Sequence, residues 1–600
     1  MLSLQIKEAK AREADGSLGA GGGGLSAAFG NMKLQRRNTL DMSSKPPTPT
    51  AEPRGFVDYL QDNERANRDY VEGVPRSLEQ AIFTPPSRVG SFFAAESPMG
   101  SLPTGSLQSN FLSADTKFLP EPMLPAEREK KIREAKQTPT FELVRKVNKL
   151  QHLMHAATDK GQTLRRQLLS GAVVVIICAG YSGKRFIYER AKELGVRLVI
   201  IDGPDSWSQT LVEDGVIEKF MPLDMSDPGA VFHEAVKLLK EIDAESGGID
   251  GICTFWEVAV PLVARLAESL GLPGNPSLAV DTARDKYLTR KALEEADLPT
   301  PSSCMIYCKE DIPKAASAVG FPAVIKPVNG AASLGVVKVS SMEDLTQAYA
   351  KVMDIMSTCS VSDPHGTSGQ GGNAFITEVM MEQYLDGDEV DVDIILSDGA
   401  VTYAKVTDNL PTLEPWFNET GACTPSLLPE SKQDELVETS SKMLRAVGLT
   451  TGVMHVELKY TTTNGPQLIE INGRMGGGPV RDMNLAVWGV DLVEEQLMAS
   501  VGLPACPPLP EKPIKCLGQY SVNAKKSGTM GEAFEKTLED LRKLPNVVSV
   551  DPFVKPGDKV VGVQDGMPTW IADITVEKET AEEALAYVQK LEAEMEQPIF

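Results

Sequence analysis

The sequence has few positive charges, few histidines and no long hydrophobic segment. Lysine and arginine total 60 against 83 aspartate and glutamate residues, which gives a formal charge of −23. A protein that binds nucleic acid or an anionic membrane needs a basic surface, so this balance argues against both partners. The longest apolar run, within GAVVVIICAG, is far shorter than the ~20 residues that cross a bilayer. The composition therefore favours small molecules as partners.

Disulfide, metal and targeting signals are also sparse. The eight cysteines include no CxxC pair and the chain has only five histidines, so neither a disulfide framework nor a zinc site is indicated. The N-terminal residues MLSLQIKEAKAREADGS have no apolar stretch of the secretory type and carry acidic residues that organellar transit peptides avoid. We therefore expect a cytoplasmic location.

A length of 600 residues predicts about four domain-sized units. Residues 1–123 are rich in Gly, Ser, Pro and Thr and have no apolar period, which predicts a disordered, low-complexity tail. Within this tail, RRNT resembles a kinase substrate site with Thr39 as the acceptor, and the alternative is a solvated basic patch. The regions predicted to follow the tail are a helical lead-in (124–170), an α/β domain (171–280), a second domain (281–505) and an α+β C-terminal module (506–600).

The α/β domain is predicted from short apolar runs that alternate with amphipathic helices from Gly171 onward. This alternation predicts a doubly wound parallel sheet covered on both faces. The loop CAGYSGK, which ends at Lys184, follows the first strand and opens a helix. It has only two of the three glycines of a dinucleotide fingerprint, and it lacks the first glycine and the final Ser or Thr of a Walker A loop. We therefore interpret the loop as structural or substrate-facing.

Two strands near residue 460 carry hard oxygen donors. In LIEIN, Glu470 and Asn472 share one face because strand side chains alternate with period two. A hairpin with the preceding strand HVELK brings Glu457 toward Glu470. Mg²⁺ binds such donors beside nucleotide phosphates, and Arg474 with three following glycines fits phosphoryl transfer. A solvated edge hairpin is the alternative. Carboxylates clustered in this way should repel each other, so that removing one charge leaves stability nearly unchanged.

The order of these features along the chain resembles the ATP-grasp family. The motifs that carry the resemblance are Lys286, Lys326, the loop 329–335, the hinge Met381–Leu385, Glu389, Glu457 and the run Glu470-x-Asn472-x-Arg474. The resemblance covers about residues 171–500. It implies an α/β fold in which an ATP-grasp domain follows the parallel-sheet domain and precedes the C-terminal module.

The resemblance also implies a role for each motif. Lys286 and Lys326 would contact the phosphates of ATP, and the glycine-rich loop would close over them. The other residues implied to bind ATP are Ser333 and Gly335 in that loop, Glu382 with the backbone of Gln383, Tyr384 and Leu385 at the adenine, and Glu389 at the ribose hydroxyls. The implied ligands for Mg²⁺, or for Mn²⁺ in its place, are Glu457, Glu470 and Asn472. Arg474 would contact the transferring phosphoryl group.

Within the family, the segments TDNLPTLEPWFNETGACTPS, GVMHVELK and EINGRMGGGPVRD resemble amino-acid ligases of the carnosine synthase type. The resemblance implies transfer of the γ-phosphoryl group of ATP to an amino-acid carboxylate, followed by attack of a second amino acid's amine. Arg481 is a candidate for holding a substrate carboxylate and His455 for orienting the amine. The alternatives are pairing of Arg481 with Asp482 and a core position for His455.

Two other functions are compatible with the same motifs. One is an ATP-grasp carboxylase that acts on bicarbonate, and the other is a catalytically silent scaffold that recruits partners. The carboxylase is disfavoured because no biotinyl segment is present, and the scaffold because it has no need of the metal-ligand set. The identities of the two substrates, homo-oligomerisation and the role of the polar insertion at 357–373 stay open at the sequence level.

Overall fold

The computed structural model describes residues 116, 119–134, 151–225, 227–330, 333–358 and 378–600, all of which lie within the compact unit Leu102–Phe600. The predictions for the low-complexity tail before residue 116, including the kinase site at Thr39, lie outside the described residues. So does the insertion at 357–373, apart from its first two residues. Within the described ranges no helix is both long enough and apolar enough to cross a membrane.

The described part of the predicted lead-in is helical. Its helices are α1 (Pro125–Glu134), α2 (Gln151–Met154) and α3 (Asp159–Leu169). Helix α3 begins at the N-cap Thr158, whose hydroxyl accepts a hydrogen bond from the Gly161 amide.

A four-stranded parallel sheet follows the lead-in, in the order β3-β2-β1-β4. Its strands are β1 (Val173–Ile177), β2 (Arg197–Asp202), β3 (Lys219–Pro222) and β4 (Gly251–Cys253). The helices of this region are α4 (Arg185–Glu193), α5 (Thr210–Glu213), α6 (Pro228–Ser246) and α7 (Val260–Leu270). Every residue of β1 is buried, as expected for a strand with both faces covered. The parallel sheet predicted from the alternating apolar pattern is confirmed.

A second, antiparallel sheet has the order β5-β8-β6-β7. Its strands are β5 (Ser303–Ile306), β6 (Ala323–Pro327), β7 (Val337–Val339) and β8 (Val379–Gln383). The helices α8 (Ser277–Arg284) and α9 (Lys286–Glu295) precede it, and α10 (Ile312–Val319) and α11 (Met342–Thr358) lie between its strands. Its core contains Ile306, Ile325 and Met381 packed against residues of α10 and α11.

The third sheet has eight antiparallel strands in the order β13-β12-β9-β10-β11-β14-β18-β16. They are β9 (Asp388–Ser397), β10 (Ala400–Asn409), β11 (Gly421–Thr424), β12 (Gly452–Thr461), β13 (Gly465–Asn472), β14 (Cys516–Asn523), β16 (Val547–Pro552) and β18 (Trp570–Lys578), while β15 (Gly528–Thr529) pairs separately with β17 (Lys559–Val560). The helices of this half are α12 (Glu430–Val447), α13 (Val480–Trp488), α14 (Leu492–Ser500), α15 (Ala533–Arg542) and α16 (Ala581–Glu594).

The C-terminal α+β stretch is part of this third sheet. The sequence pattern predicted a separate module, but β14 pairs with β11 along Gly421–Thr424, so the C-terminal strands extend the sheet. The pattern of apolar residues identifies a strand but does not specify its pairing partner, which explains the difference. The exact boundaries of the five predicted regions stay predictions.

The two faces of the eight-stranded sheet differ because side chains alternate along each strand. On β9, Val390, Val392 and Ile394 point into a core shared with α12. The residues between them, Asp391 and Asp393, point to the opposite face and pair there with Glu457 and His455 of β12. One face is therefore apolar, and the other carries the carboxylates.

A buried ion pair joins α7 to α8, the helix that leads to Lys286. The Arg265 guanidinium donates two hydrogen bonds to the Asp281 carboxylate, at 2.9 and 2.6 Å, and the side chains are only 2% and 4% exposed. We expect Asp281→Asn to lower the free energy of unfolding by about 3 kcal/mol, because it leaves a buried guanidinium without its counter-charge. Urea unfolding followed by circular dichroism measures this loss.

The matched control for this prediction is Glu234→Gln, which removes a carboxylate that pairs with Lys237 on the exposed surface of α6. This variant should stay within about 0.5 kcal/mol of the parent protein. Equal effects of the two substitutions would contradict the structural role assigned to the buried pair.

Candidate active site

A cleft lies between the sheet β5-β8-β6-β7 and the eight-stranded sheet. The first sheet contributes residues of β6 and β8, and the second contributes residues of β9, β12 and β13. Ten of the residues singled out in the sequence line this cleft: Lys286, Lys326, Ser333, Glu382, Gln383, Tyr384, Leu385, Glu389, Glu457 and Glu470. The structure therefore collects into one volume residues that are far apart in the chain.

The two lysines approach the cleft from different elements, and each is paired with a carboxylate. Lys286 is the first residue of α9, and its ammonium lies 2.9 Å from Glu470. Lys326 lies near the end of β6, and its ammonium lies 2.5 Å from Glu382. Both lysines are nearly fully buried, and burial lowers the pKa of Lys326. A polyphosphate entering the cleft would meet two ammonium groups that are already oriented.

Glu382 lies at the centre of a buried network. Arg290, with no exposed surface, donates to it at 2.8 and 3.2 Å and also donates to the Ile469 carbonyl at 2.7 Å. Burial would raise the pKa of Glu382, but Arg290 and Lys326 outweigh burial and hold the pKa below its usual value. The carboxylate therefore stays ionised and braces Lys326. Any contact of this side chain with adenine would have to share an oxygen with these two cations.

Sequence reasoning missed Arg290, although a signal was present. It stands four residues after Lys286 on α9, a spacing that puts both side chains on one helix face.

The hinge after β8 makes several contacts of its own. The Gln383 amide donates to the Ser302 carbonyl at 2.9 Å and the Tyr384 amide to the Pro322 carbonyl at 3.2 Å. An adenine contact at the hinge would therefore use other backbone groups. The Tyr384 hydroxyl donates to Glu414 at 2.8 Å. Beyond the hinge, Glu389 lies 3.2 Å from the Lys459 ammonium.

The predicted hairpin that brings Glu457 toward Glu470 is confirmed. Glu457 on β12 lies directly opposite Glu470 on β13, and the Asn472 amide donates to Glu470 at 3.1 Å. Burial and the neighbouring Glu470 raise the pKa of Glu457 well above its usual value. Burial also acts to raise the pKa of Glu470, but Lys286 outweighs burial and lowers it. The expected repulsion between these carboxylates is therefore present at Glu457, whereas Lys286 offsets it at Glu470.

These oxygen donors fit a divalent cation. No group of three or more His, Cys, Asp or Glu among the described residues could hold a metal ion alone. Mg²⁺ usually takes one or two carboxylates and completes its shell with water and substrate phosphates, so two glutamates and an asparagine suffice. The electrostatic repulsion that raises the pKa of Glu457 is the repulsion that such a cation would relieve.

Comparison with known proteins identifies the fold that holds this cleft. Residues 319–482 match the model of the ATP-grasp domain, and residues 188–274 match the model of the ATP-grasp N-terminal domain. The chain has the ATP-grasp fold.

The curated relatives of this chain include carnosine synthases and an alanine–anticapsin ligase. It is 34% identical to carnosine synthase 1 of Gallus gallus, in a match that covers 60% of this chain and 39% of that protein. It is 33% identical to carnosine synthase 1 of Homo sapiens, in a match that covers 66% of this chain and 48% of that protein. It is 27% identical to the alanine–anticapsin ligase of Bacillus subtilis (strain 168) over 56% of this chain and 71% of that ligase. The chain thus spans less than half the length of these two carnosine synthases.

Solved structures share the ATP-grasp architecture. The L-amino acid ligase of Bacillus licheniformis matches with a TM-score of 0.58 and 23% identity over 72% of this chain and 99% of that ligase. An ADP complex of N5-carboxyaminoimidazole ribonucleotide synthetase matches with a TM-score of 0.53 and 16% identity over 70% of this chain and 96% of that enzyme. These likenesses concern the fold.

Arg474 follows the carboxylate hairpin of the ATP-grasp domain and turns toward the parallel sheet. Its Nε lies 2.5 Å from Glu257, which follows β4, and its NH1 donates to the Met475 carbonyl at 2.8 Å. Sequence reasoning missed Glu257. Its signal was its position just after the short strand GIC, at an edge where parallel sheets commonly bind ligands.

Arg481 and His455 both have acidic partners. Arg481 donates to Asp491 at 2.9 and 2.8 Å and to Asp482 at 3.2 Å, so a substrate carboxylate would have to compete with Asp491. The Nδ1 atom of His455 lies 2.8 Å from Asp393. Burial lowers the pKa of His455, but the neighbouring aspartates, Asp391 first, outweigh burial and raise it to about 10. A protonated imidazole cannot accept a proton, although it can still orient a ligand.

The remaining predicted residue, Gly335, has φ of +76°, and a side chain there would press on Pro327. Its neighbour Ser333 also has a positive φ of +55° and lines the cleft. The loop therefore has a tight backbone over Lys326. The functional roles of all the residues discussed in this section stay predictions.

We expect Lys326→Met to weaken ATP binding about tenfold or more, because it keeps the buried stem but removes a charged phosphate donor. Isothermal titration calorimetry with MgATP measures the affinity. Lys314→Met, on the exposed surface of α10, is the control and should bind ATP as the parent does. If the affinity of Lys326→Met for ATP were unchanged, the only role left for Lys326 would be its ion pair with Glu382.

Proposed function

We propose that the protein is an ATP-dependent ligase that joins the carboxylate of one amino acid to the amine of a second. The observation that carries the proposal is the cleft in which Glu457 and Glu470 face each other beside Lys286 and Lys326. Similarity to carnosine synthase 1 and to alanine–anticapsin ligase supports the substrate class.

The reaction has two steps. A carboxylate oxygen of the first amino acid attacks the γ-phosphorus of ATP, and the bond to ADP breaks, which leaves an acyl phosphate. The amine of the second amino acid then attacks the acyl carbon, phosphate leaves and an amide bond forms. Both steps develop negative charge on phosphoryl oxygens, which preorganised cations stabilise.

In this proposal Lys286 and Lys326 hold the phosphates, and Arg474 contacts the transferring phosphoryl group. Glu457, Glu470 and Asn472 would hold Mg²⁺, or Mn²⁺ in its place, which supplies positive charge to the phosphate oxygens. ATP binding at the hinge 383–385 and at Glu389 belongs to the same proposal. These residues line the cleft, except that Asn472 reaches it through Glu470 and Arg474 is paired with Glu257.

The second step requires a group that accepts a proton from the attacking amine. Glu419 lines the same cleft, and burial, with Asp391 and Glu389 nearby, raises its pKa to about 7. A carboxylate with a pKa near neutrality is a suitable general base. We therefore assign this role to Glu419, which the sequence did not single out.

The direct test is a screen for phosphate release over pairs of amino acids, including β-alanine and γ-aminobutyrate with histidine. Release that requires both amino acids, with a dipeptide mass in the product, supports the ligase. ATP binding without turnover on any pair supports the silent scaffold instead. A cytoplasmic location, homo-oligomerisation and phosphorylation of Thr39 stay predictions.

Glu470→Gln should reduce turnover by about 10² or more with a smaller change in ATP affinity, because the lost charge acts mainly in the transition state. It should also lower thermal stability without nucleotide, because Lys286 loses its buried partner. Initial rates of phosphate release and thermal melts measure the two effects. Glu435→Gln on the exposed surface of α12 is the control. Full turnover per folded molecule in Glu470→Gln would remove the catalytic role of this carboxylate.

A further inference from the structure

The carboxyl ends of β1 and β4 in the parallel sheet are a second place where a ligand could bind. In the order β3-β2-β1-β4, the chain leaves β1 toward β2 on one side, while β4 lies on its other side. Ligands of open α/β sheets bind outside the carboxyl ends of strands at such a switch in direction. The two loops at this point end at Lys184 after β1 and at Glu257 after β4.

The ammonium group of Lys184 is buried at this point. The side chain is 7% exposed, and its ammonium donates to the Phe255 carbonyl at 2.7 Å. The rings of Tyr181 and Trp256 each lie with their centroids 5.9 Å from the ammonium. A Cβ at Gly180 would lie 2.9 Å from Lys184 Cδ and 3.0 Å from the Trp256 ring, so this glycine makes room for the lysine stem.

The local charges do not balance. Arg474 lies 2.5 Å from Glu257, which leaves that carboxylate engaged by the guanidinium. Burial first, and then the nearby Arg474, lower the pKa of Lys184 to about 7, and the opposite effect of Glu257 is smaller. Three cations thus share one carboxylate, because the Nε atom of Arg284 also lies 3.8 Å from Glu257. Buried charge of this kind is normally compensated, so the arrangement indicates an anionic ligand.

The chemistry of the proposed reaction supplies such an anion. The carboxylate of the first amino acid is consumed at the phosphates, beside Lys286 and Lys326. The second amino acid reacts through its amine and keeps its own carboxylate, which needs a separate cation. Arg481, the sequence candidate for this task, already donates twice to Asp491.

We propose that Lys184 binds the carboxylate of the amine-supplying amino acid at the carboxyl ends of β1 and β4, next to Arg474, which stays paired with Glu257. This inference rests on the proposed ligase function. Tyr181, 43% exposed, and Trp256 form the walls against which the rest of that amino acid packs. The loop CAGYSGK is therefore substrate-facing, and its glycine and lysine have distinct tasks.

The test variant is Lys184→Gln, which keeps a donor for the Phe255 carbonyl but removes the charge. The acceptor is the one selected by the phosphate-release screen, for example histidine, and it is compared with the same compound bearing a carboxamide in place of its carboxylate. We expect KM for the free acid to rise about 10- to 100-fold, as for loss of a charged hydrogen bond, and KM for the carboxamide to stay within about twofold.

A partial reaction separates this inference from the ligase proposal. Hydroxylamine has no carboxylate, and it traps an acyl phosphate as a hydroxamate. Lys184→Gln should form hydroxamate from the first amino acid and ATP at a rate close to that of the parent. Absence of hydroxamate and of dipeptide in the parent protein would contradict the ligase itself. Hydroxamate in both proteins, with equal KM changes for acid and carboxamide or with no change for either, would overturn the assignment of Lys184 alone.

Two further variants guard against a folding defect. Lys184→Arg keeps the charge and should retain the preference for the free acid over the carboxamide, whereas a purely structural lysine would give no such rescue. Lys192→Gln removes an exposed lysine from α4 and should behave as the parent in every assay. Loss of the preference in Lys184→Arg with normal thermal stability would also count against the carboxylate site.

Discussion

The site depends on the compensation of buried charge. Lys286 pairs with Glu470, Lys326 with Glu382, and Arg474 with Glu257, and most of these groups are more than nine-tenths buried. Each pair joins elements that are distant in the chain, so the same contacts that satisfy the charges also fix the walls of the cleft. A nucleotide with its metal would replace these internal partners by phosphate oxygens and a cation, which keeps the charges compensated throughout.

The eight-stranded sheet positions the carboxylates of these ion pairs. Alternation along β9, β12 and β13 puts the apolar residues against α12 and the carboxylates on the opposite face, in register across neighbouring strands. The parallel sheet then adds Glu257 and Lys184 from the carboxyl ends of β4 and β1. In the proposed site the cations thus extend from Lys286 and Lys326, through Arg474, to Lys184. This order fits the proposed reaction, in which the carboxylate of the first amino acid is activated and the carboxylate of the second amino acid only binds to the protein.

Local pattern was sufficient to predict much of this arrangement. The alternating runs after Gly171 predicted the parallel sheet. The period-two alternation, with a hairpin between the two strands, predicted that Glu457 lies opposite Glu470. Contacts between distant segments could not be derived in this way. The pairing of Arg290 with Glu382, of Glu257 with Arg474 and of β11 with β14 depends on how separate elements pack, which one sequence does not specify. The compensation of Glu470 by Lys286 was missed for the same reason, because Lys286 comes from another element.

The central claim is that a substrate carboxylate is activated by direct transfer of the γ-phosphoryl group. The most direct measurement uses the first amino acid labelled with ¹⁸O in its carboxylate, with the released phosphate analysed by ³¹P NMR or mass spectrometry. A reaction that passes through an acyl phosphate moves one labelled oxygen from the carboxylate into each released phosphate. We therefore predict one labelled phosphate for each dipeptide formed. Dipeptide formed with unlabelled phosphate would contradict it.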